Sequence, residues 1–164
     1  MKFSLSAIAL TLLGATSALA NPISNSKRDL SPDQKFGIMS FHSGNIYVHL
    51  QTFYVGQSGH VYLSPYDNAK EGGSFHLKDS QLLYNNEPAS LDKDGALVFQ
   101  SSGSPLSGFD ASEATNIGYE LRLNGSSAVA CPVANTNEVY QIFYGQGNNS
   151  KDCTGIATEA IVQT

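Results

Sequence analysis

Residues 74–84 read SFHLKDSQLLY and residues 119–129 read YELRLNGSSAV. Each is an aromatic-x-Leu strand, a polar turn and a second apolar strand. Working outward, the rest of the chain has the same texture. Short β-branched and aromatic runs such as KFGIMSF, ALVFQ and EVYQIFY are separated by Gly, Asn, Asp and Ser clusters, and helical periodicity is almost absent. About twelve runs of strand character group as four, four and four, with groups opening near Phe36, Ser74 and Tyr119. Three four-strand units of roughly 40 residues predict an all-β, single-domain β-trefoil; a Greek-key β-sandwich is the alternative.

Local features support short strands. Ile46, Val48 and Leu50 alternate with Tyr47, His49 and Gln51, which predicts a half-buried strand. Val139, Gln141 and Phe143 alternate with Tyr140, Ile142 and Tyr144 in a strand apolar on both faces. Asp94-Gly95 and Asn124-Gly125 are dipeptides that accept positive φ in tight hairpins. SSGSPLSGFDASEATN, residues 101–116, is the longest stretch without strand character.

The N-terminus sets the compartment. Lys2, the apolar run from Leu5 to Leu13 and the small-x-small signal Ala18-Leu19-Ala20 are the three parts of a secretory signal peptide, residues 1–20. Lys27-Arg28 ends a short polar pro-segment, residues 21–28, and reads as a dibasic processing site. Residues 29–164 are the expected mature domain, a usual size for one fold. We expect the product outside the cell, without a membrane anchor.

In an oxidising compartment Cys131 and Cys153, the only cysteines, are expected to pair. Closing a loop of about 22 residues is worth roughly 3 kcal/mol. Their spacing is not that of a CxxC redox motif, and a zinc site would need further ligands. Two sequons, Asn124 and Asn148, are candidate N-glycan sites on surface turns. Net charge is −5, and cleavage after Arg28 removes three cations and no acid. Such a chain lacks the basic footprint of a nucleic-acid or anionic-membrane binder.

Other polar groups read as structural. His42, His49, His60 and His76 have no ligand-motif spacing. DKDG, residues 92–95, reads as a hairpin turn and not the start of a calcium loop. Asp110, Glu113 and Glu120 could supply two carboxylates for glycoside hydrolysis, but nothing in their spacing demands it. We therefore assign no catalytic, cofactor-binding or metal residues. Eight tyrosines are a stock of rings for sugar stacking, though strand burial accounts for most of them.

The features LLYNNEPASLDKDGALVF, GYELRLNGSSAVACPV, EVYQIFYG and DCTGIATEAIV follow in an order that resembles the C-terminal domain of fungal PIR-type cell wall mannoproteins and the related PhiA-like cell wall proteins. FGIMSFHSGNIYVHLQTF is similar to the start of PhiA-like proteins, so the resemblance covers most of residues 36–162. The PIR glutamine repeat is missing, and only two of that domain's four cysteines have counterparts, Cys131 and Cys153. The resemblance implies a structural wall glycoprotein that contacts wall polysaccharide, β-glucan or mannan, or other wall proteins. A lectin-like glycan-binding module and a secreted effector or inhibitor are the alternatives.

Overall fold

The computed structural model describes residues 30–69, 71–145 and 152–163. Twelve strands form, and no helix is present among the described residues. They are β1 Phe36–Phe41, β2 Tyr54–Val55, β3 Val61–Tyr62, β4 Phe75–Lys78, β5 Gln81–Tyr84 and β6 Glu87–Leu91. Then come β7 Leu97–Phe99, β8 Phe109–Ala114, β9 Tyr119–Leu123, β10 Ala128–Pro132, β11 Tyr140–Phe143 and β12 Thr154–Val162.

The pairing divides the strands into three units, β1–β4, β5–β8 and β9–β12. The first and last strands of the units make a ring. β1 pairs with β12 and β4, β4 with β5, β8 with β9, and β9 with β12, all antiparallel. The remaining seam lies between β5 and β8. There the amides of Gly108 and Phe109 both donate to the Ser80 carbonyl, at 2.9 and 3.0 Å. The middle strands make three hairpins, β2–β3, β6–β7 and β10–β11. The hairpins meet one another at Gln141↔Tyr62, His60↔Val98 and Ala96↔Phe143. A six-strand ring capped by three mutually touching hairpins is a β-trefoil.

The threefold plan holds at single residues. Leu63 N donates to Tyr140 O at 2.9 Å, Phe99 N to Gly59 O at 2.9 Å, and Tyr144 N to Gly95 O at 3.4 Å. Leu63, Phe99 and Tyr144 are therefore equivalent, and all three are buried in the cap. Below them Ile38, Leu82 and Leu121 point inward from the first strand of each unit. Phe36, Phe75, Tyr84 and Phe99 form a chain of tilted ring contacts through the core. A satellite cluster of Ala96, Cys131 and Phe143 is packed beside Val129 and Cys153.

Three expectations are corrected. First, residues 46–50 are a turn and not a strand. Val48 alone is buried, while Ile46 and Leu50 are 75% and 54% exposed. The amides of Val48 and His49 donate to Asn45 O at 3.1 and 2.8 Å, and the Ser40 hydroxyl donates to Val48 O at 2.6 Å. These local bonds compete with a sheet ladder, and Leu50 at φ 58° lies outside strand geometry. Second, β8 lies within 101–116, the stretch read as loop. Phe109 and Ala111 alternate inward there, and the small Ala hides the pattern. Third, the second unit opens at Gln81 and not near Ser74, which precedes the last strand of the first unit. The two quoted segments therefore match β4–β5 with β9–β10, positions that are not equivalent in the trefoil.

Candidate functional site

The disulfide joins Cys131 on β10 to Cys153 just before β12. It links strands already paired through Ala128↔Ile156, Val129↔Gly155 and Ala130↔Thr154. Asn124, at φ 49°, and Gly125, at φ 75°, form the exposed left-handed turn between β9 and β10. The Asn124 carboxamide lies over Gly108, where a Cβ would stand 2.0 Å from its Oδ1. Asn148, Lys27, Arg28, Ala18 and Ala20 lie outside the described residues.

His42 and His49 meet each other, while His60 and His76 lie on other elements. His42 Nδ1 lies 3.1 Å from Gly155 O and Nε2 3.3 Å from Thr154 Oγ1, which ties the end of β1 to the start of β12. His49 Nδ1 accepts from the His42 amide at 3.3 Å. His76 is half-buried on β4. His60 is the most connected. Its Nε2 lies 3.1 Å from Asp92 Oδ2 and its Nδ1 3.1 Å from Ser58 Oγ, whose proton goes to Asp67 Oδ2. A Ser, a His and an Asp thus lie in line, but the hydroxyl proton is held by a second carboxylate and not by the imidazole, as nucleophilic attack would require.

The line Asp67–Ser58–His60–Asp92 braces the first hairpin against the second. Burial pushes the Asp92 carboxyl up, but the amides of Ala96 and Asp94 and the His60 ring outweigh it and hold the pKa below the ordinary value. The Ser58 hydroxyl, then the Ser58 amide, hold Asp67 below its ordinary value as well. Asp92 Oδ1 also accepts from the amides of Asp94 and Ala96 at 2.9 and 2.8 Å, so residues 92–95 are the expected hairpin turn.

The acidic residues weighed for hydrolysis are placed as follows. Glu113 and Glu120 are direct partners across β8–β9. Glu120 is held in a two-pronged pair by Arg122, both contacts at 2.8 Å. Asp110 accepts from Ser112 Oγ at 2.8 Å and lines an open cleft of about 420 Å³ with Asp33, Asp79, Leu77 and Phe109. Among the described residues no group of three or more His, Cys, Asp or Glu is placed to hold a metal.

The tyrosines sort into two kinds. Tyr144 and Tyr62 are buried, and Tyr84 and Tyr66 pack against other rings. Tyr54 and Tyr119 lie half-buried on β2 and β9. Tyr140, half-buried on β11, packs against the core, and its hydroxyl is met by the 42–50 loop, which carries the exposed Tyr47. Asn45 Nδ2 donates to Tyr140 Oη at 3.1 Å, and Asn45 Oδ1 accepts from the Tyr47 amide at 2.9 Å. Hydrogen bonding to the Glu138 carboxylate, then its charge, raises the Tyr47 pKa. Tyr47 keeps 42% of its surface exposed. Asn45 and Glu138 carried no signal in the sequence: one reads as a turn residue, and the other lies more than ninety positions away.

The described residues form a disulfide-braced β-trefoil in which the Tyr140 hydroxyl meets Asn45 beside Tyr47. No family model matches the chain, and no solved structure matches it. It is similar to two but2-like proteins of Schizosaccharomyces pombe, both described as uncharacterized. One is 44% identical over 155 residues, which is 93% of this chain and 40% of the relative. The other is 46% identical over 167 residues, which is 99% of this chain and 36% of the relative. The chain thus spans well under half the length of either relative.

Proposed function

We propose that this chain is a secreted glycoprotein of a fungal cell wall with a structural role and no catalysis. The observation that carries the reading is the Cys131–Cys153 disulfide, which belongs to an oxidising compartment. It agrees with a signal peptide over residues 1–20 and processing after Arg28. The wall location rests on the resemblance to PIR-type and PhiA-like proteins. The polar pairs support a structural role, since His60, Asp92, Ser58 and Asp67 are engaged with one another across two hairpins. Wall polysaccharide, β-glucan or mannan, or another wall protein is the expected partner. A glycan-binding role is the second reading, favoured by the Tyr47 and Tyr140 face.

Fractionation of producing cells tests it. Medium, hot detergent with reductant, mild alkali and β-glucanase digests are probed in turn for the protein. Recovery from the wall fractions is expected. Recovery almost wholly in the medium overturns the wall assignment in favour of a released effector or inhibitor.

A further inference from the structure

We propose that the face formed by Asn45, Tyr47, Glu138 and Tyr140 is a binding site for a neutral polysaccharide chain, a glucan or mannan. It rests on the wall reading above and deepens it by naming where the polysaccharide is held.

Four observations converge on this face. The first is backbone strain. Among the described residues, the left-handed positions are otherwise Gly, Asn or Asp, types that tolerate positive φ, with three exceptions. These are Ser80, at φ 59°, in the turn between β4 and β5, and Leu50, at φ 58°, and Glu138, at φ 69°. Leu50 closes the 42–50 loop and Glu138 stands beside Tyr140, so both belong to this face. Strained residues of this kind persist where the surroundings hold them for a purpose, commonly a ligand.

The second is exposure. Among the described residues, Ile46, Tyr47 and Leu50 account for three of the five large apolar side chains that lie exposed. The third is the state of the rings. Tyr140 is half-buried against the core and presents its hydroxyl to Asn45, while the exposed Tyr47 is stacked on no aromatic ring among the described residues. A pyranose has an apolar C–H face that fits such a ring.

The fourth is the inventory of donors and acceptors. Tyr140 Oη accepts from Asn45, which leaves its own proton available to donate to a ligand. The Glu138 carboxylate has acceptor capacity beyond Tyr47. A ring face flanked by a donor and an acceptor matches sugar hydroxyls, each of which does both. Glu138 also brings negative charge to the face of a chain of net charge −5, which repels acidic polymers and leaves neutral ones unaffected.

The test titrates the purified secreted protein with soluble β-glucan, soluble mannan and an acidic polysaccharide. Binding to at least one neutral polymer is expected. Tyr47→Ala should weaken it about tenfold, and Tyr140→Phe about threefold through the lost hydroxyl proton. Tyr66→Ala, which changes an exposed tyrosine elsewhere, should leave it unchanged. Unaltered melting temperatures confirm that the variants fold. The proposal is overturned if neither neutral polymer binds, if the acidic polymer binds better, or if Tyr47→Ala and Tyr140→Phe bind like the parent. Wall fractionation is a separate readout. Protein that stays in the wall but binds no polysaccharide discards this site and leaves the wall reading standing.

Discussion

At the residue scale the informative positions are those where chemistry and surroundings disagree. Tyr144 occupies one of three equivalent sites in the cap; the other two hold Leu63 and Phe99. Its hydroxyl is buried without a hydrogen bond of full geometry; Thr158, the polar group beside it, gives its own proton to Leu121 O at 2.8 Å and pulls the phenol's pKa down against burial. Burial pushes the phenol up to about 12. Tyr144→Phe should therefore stabilise the fold by about 1 kcal/mol, as expected when an unpaired buried group is removed. A denaturant midpoint that falls would show an unrecognised partner. Leu50 offers a second test. In a strand, Ala would be tolerated better than Gly. At φ 58° the order inverts, and Leu50→Gly should be more stable than Leu50→Ala by about 1 kcal/mol. Alternation misled at residues 46–50 because a turn that buries only its middle residue produces the same apolar-polar pattern as a strand.

At the element scale the hairpins decide how the units lock. Gly59 has φ 83°, and a Cβ there would stand 2.3 Å from Phe99 O, the backbone of the neighbouring hairpin. Gly59→Ala should cost about 2 kcal/mol or more through left-handed strain and this clash, read as a lowered thermal midpoint. The second lock is the line from Asp67 to Asp92. Both carboxyls are held below their ordinary pKa. Folding therefore gains stability from their ionised forms at pH above the unfolded value near 4. That gain is lost as pH falls through the lower folded values. Asp92→Asn and Asp67→Asn should each flatten the fall in stability on the acid side of pH 4 and lower stability at pH 7. Parallel curves for parent and variants would refute this. The strand-turn-strand texture was legible because hairpins are local. Asp94-Gly95 and Asn124-Gly125 stated their turns in two letters each. The pairing of His60 with Asp92 was not legible, because it depends on how two hairpins pack and neither turn encodes it alone.

At the scale of the whole molecule, the trefoil was legible from the count of strands. The boundaries of its units were not: β8 shows only Phe109 and Ala111 to the core, and its Asp, Ser and Glu read as loop. The disulfide was expected from the number of cysteines and the compartment that the N-terminal residues suggest, and the structure places it between β10 and the start of β12. Cys131→Ser should cost about 3 kcal/mol, the value for a loop of this length, and reduce the secreted yield. Equal stability with and without reductant would contradict it. The pairing of β1 with β12 has a mechanical consequence. Phe36 lies opposite Val162, so the chain enters and leaves the barrel side by side. Tension applied at these two points peels the strands apart one rung at a time and does not shear all six at once. Peeling from the C-terminal side stops at Cys153, where the covalent bond passes the load to β10. Such a domain would yield early under stretch, pay out a short length of β12, and then hold.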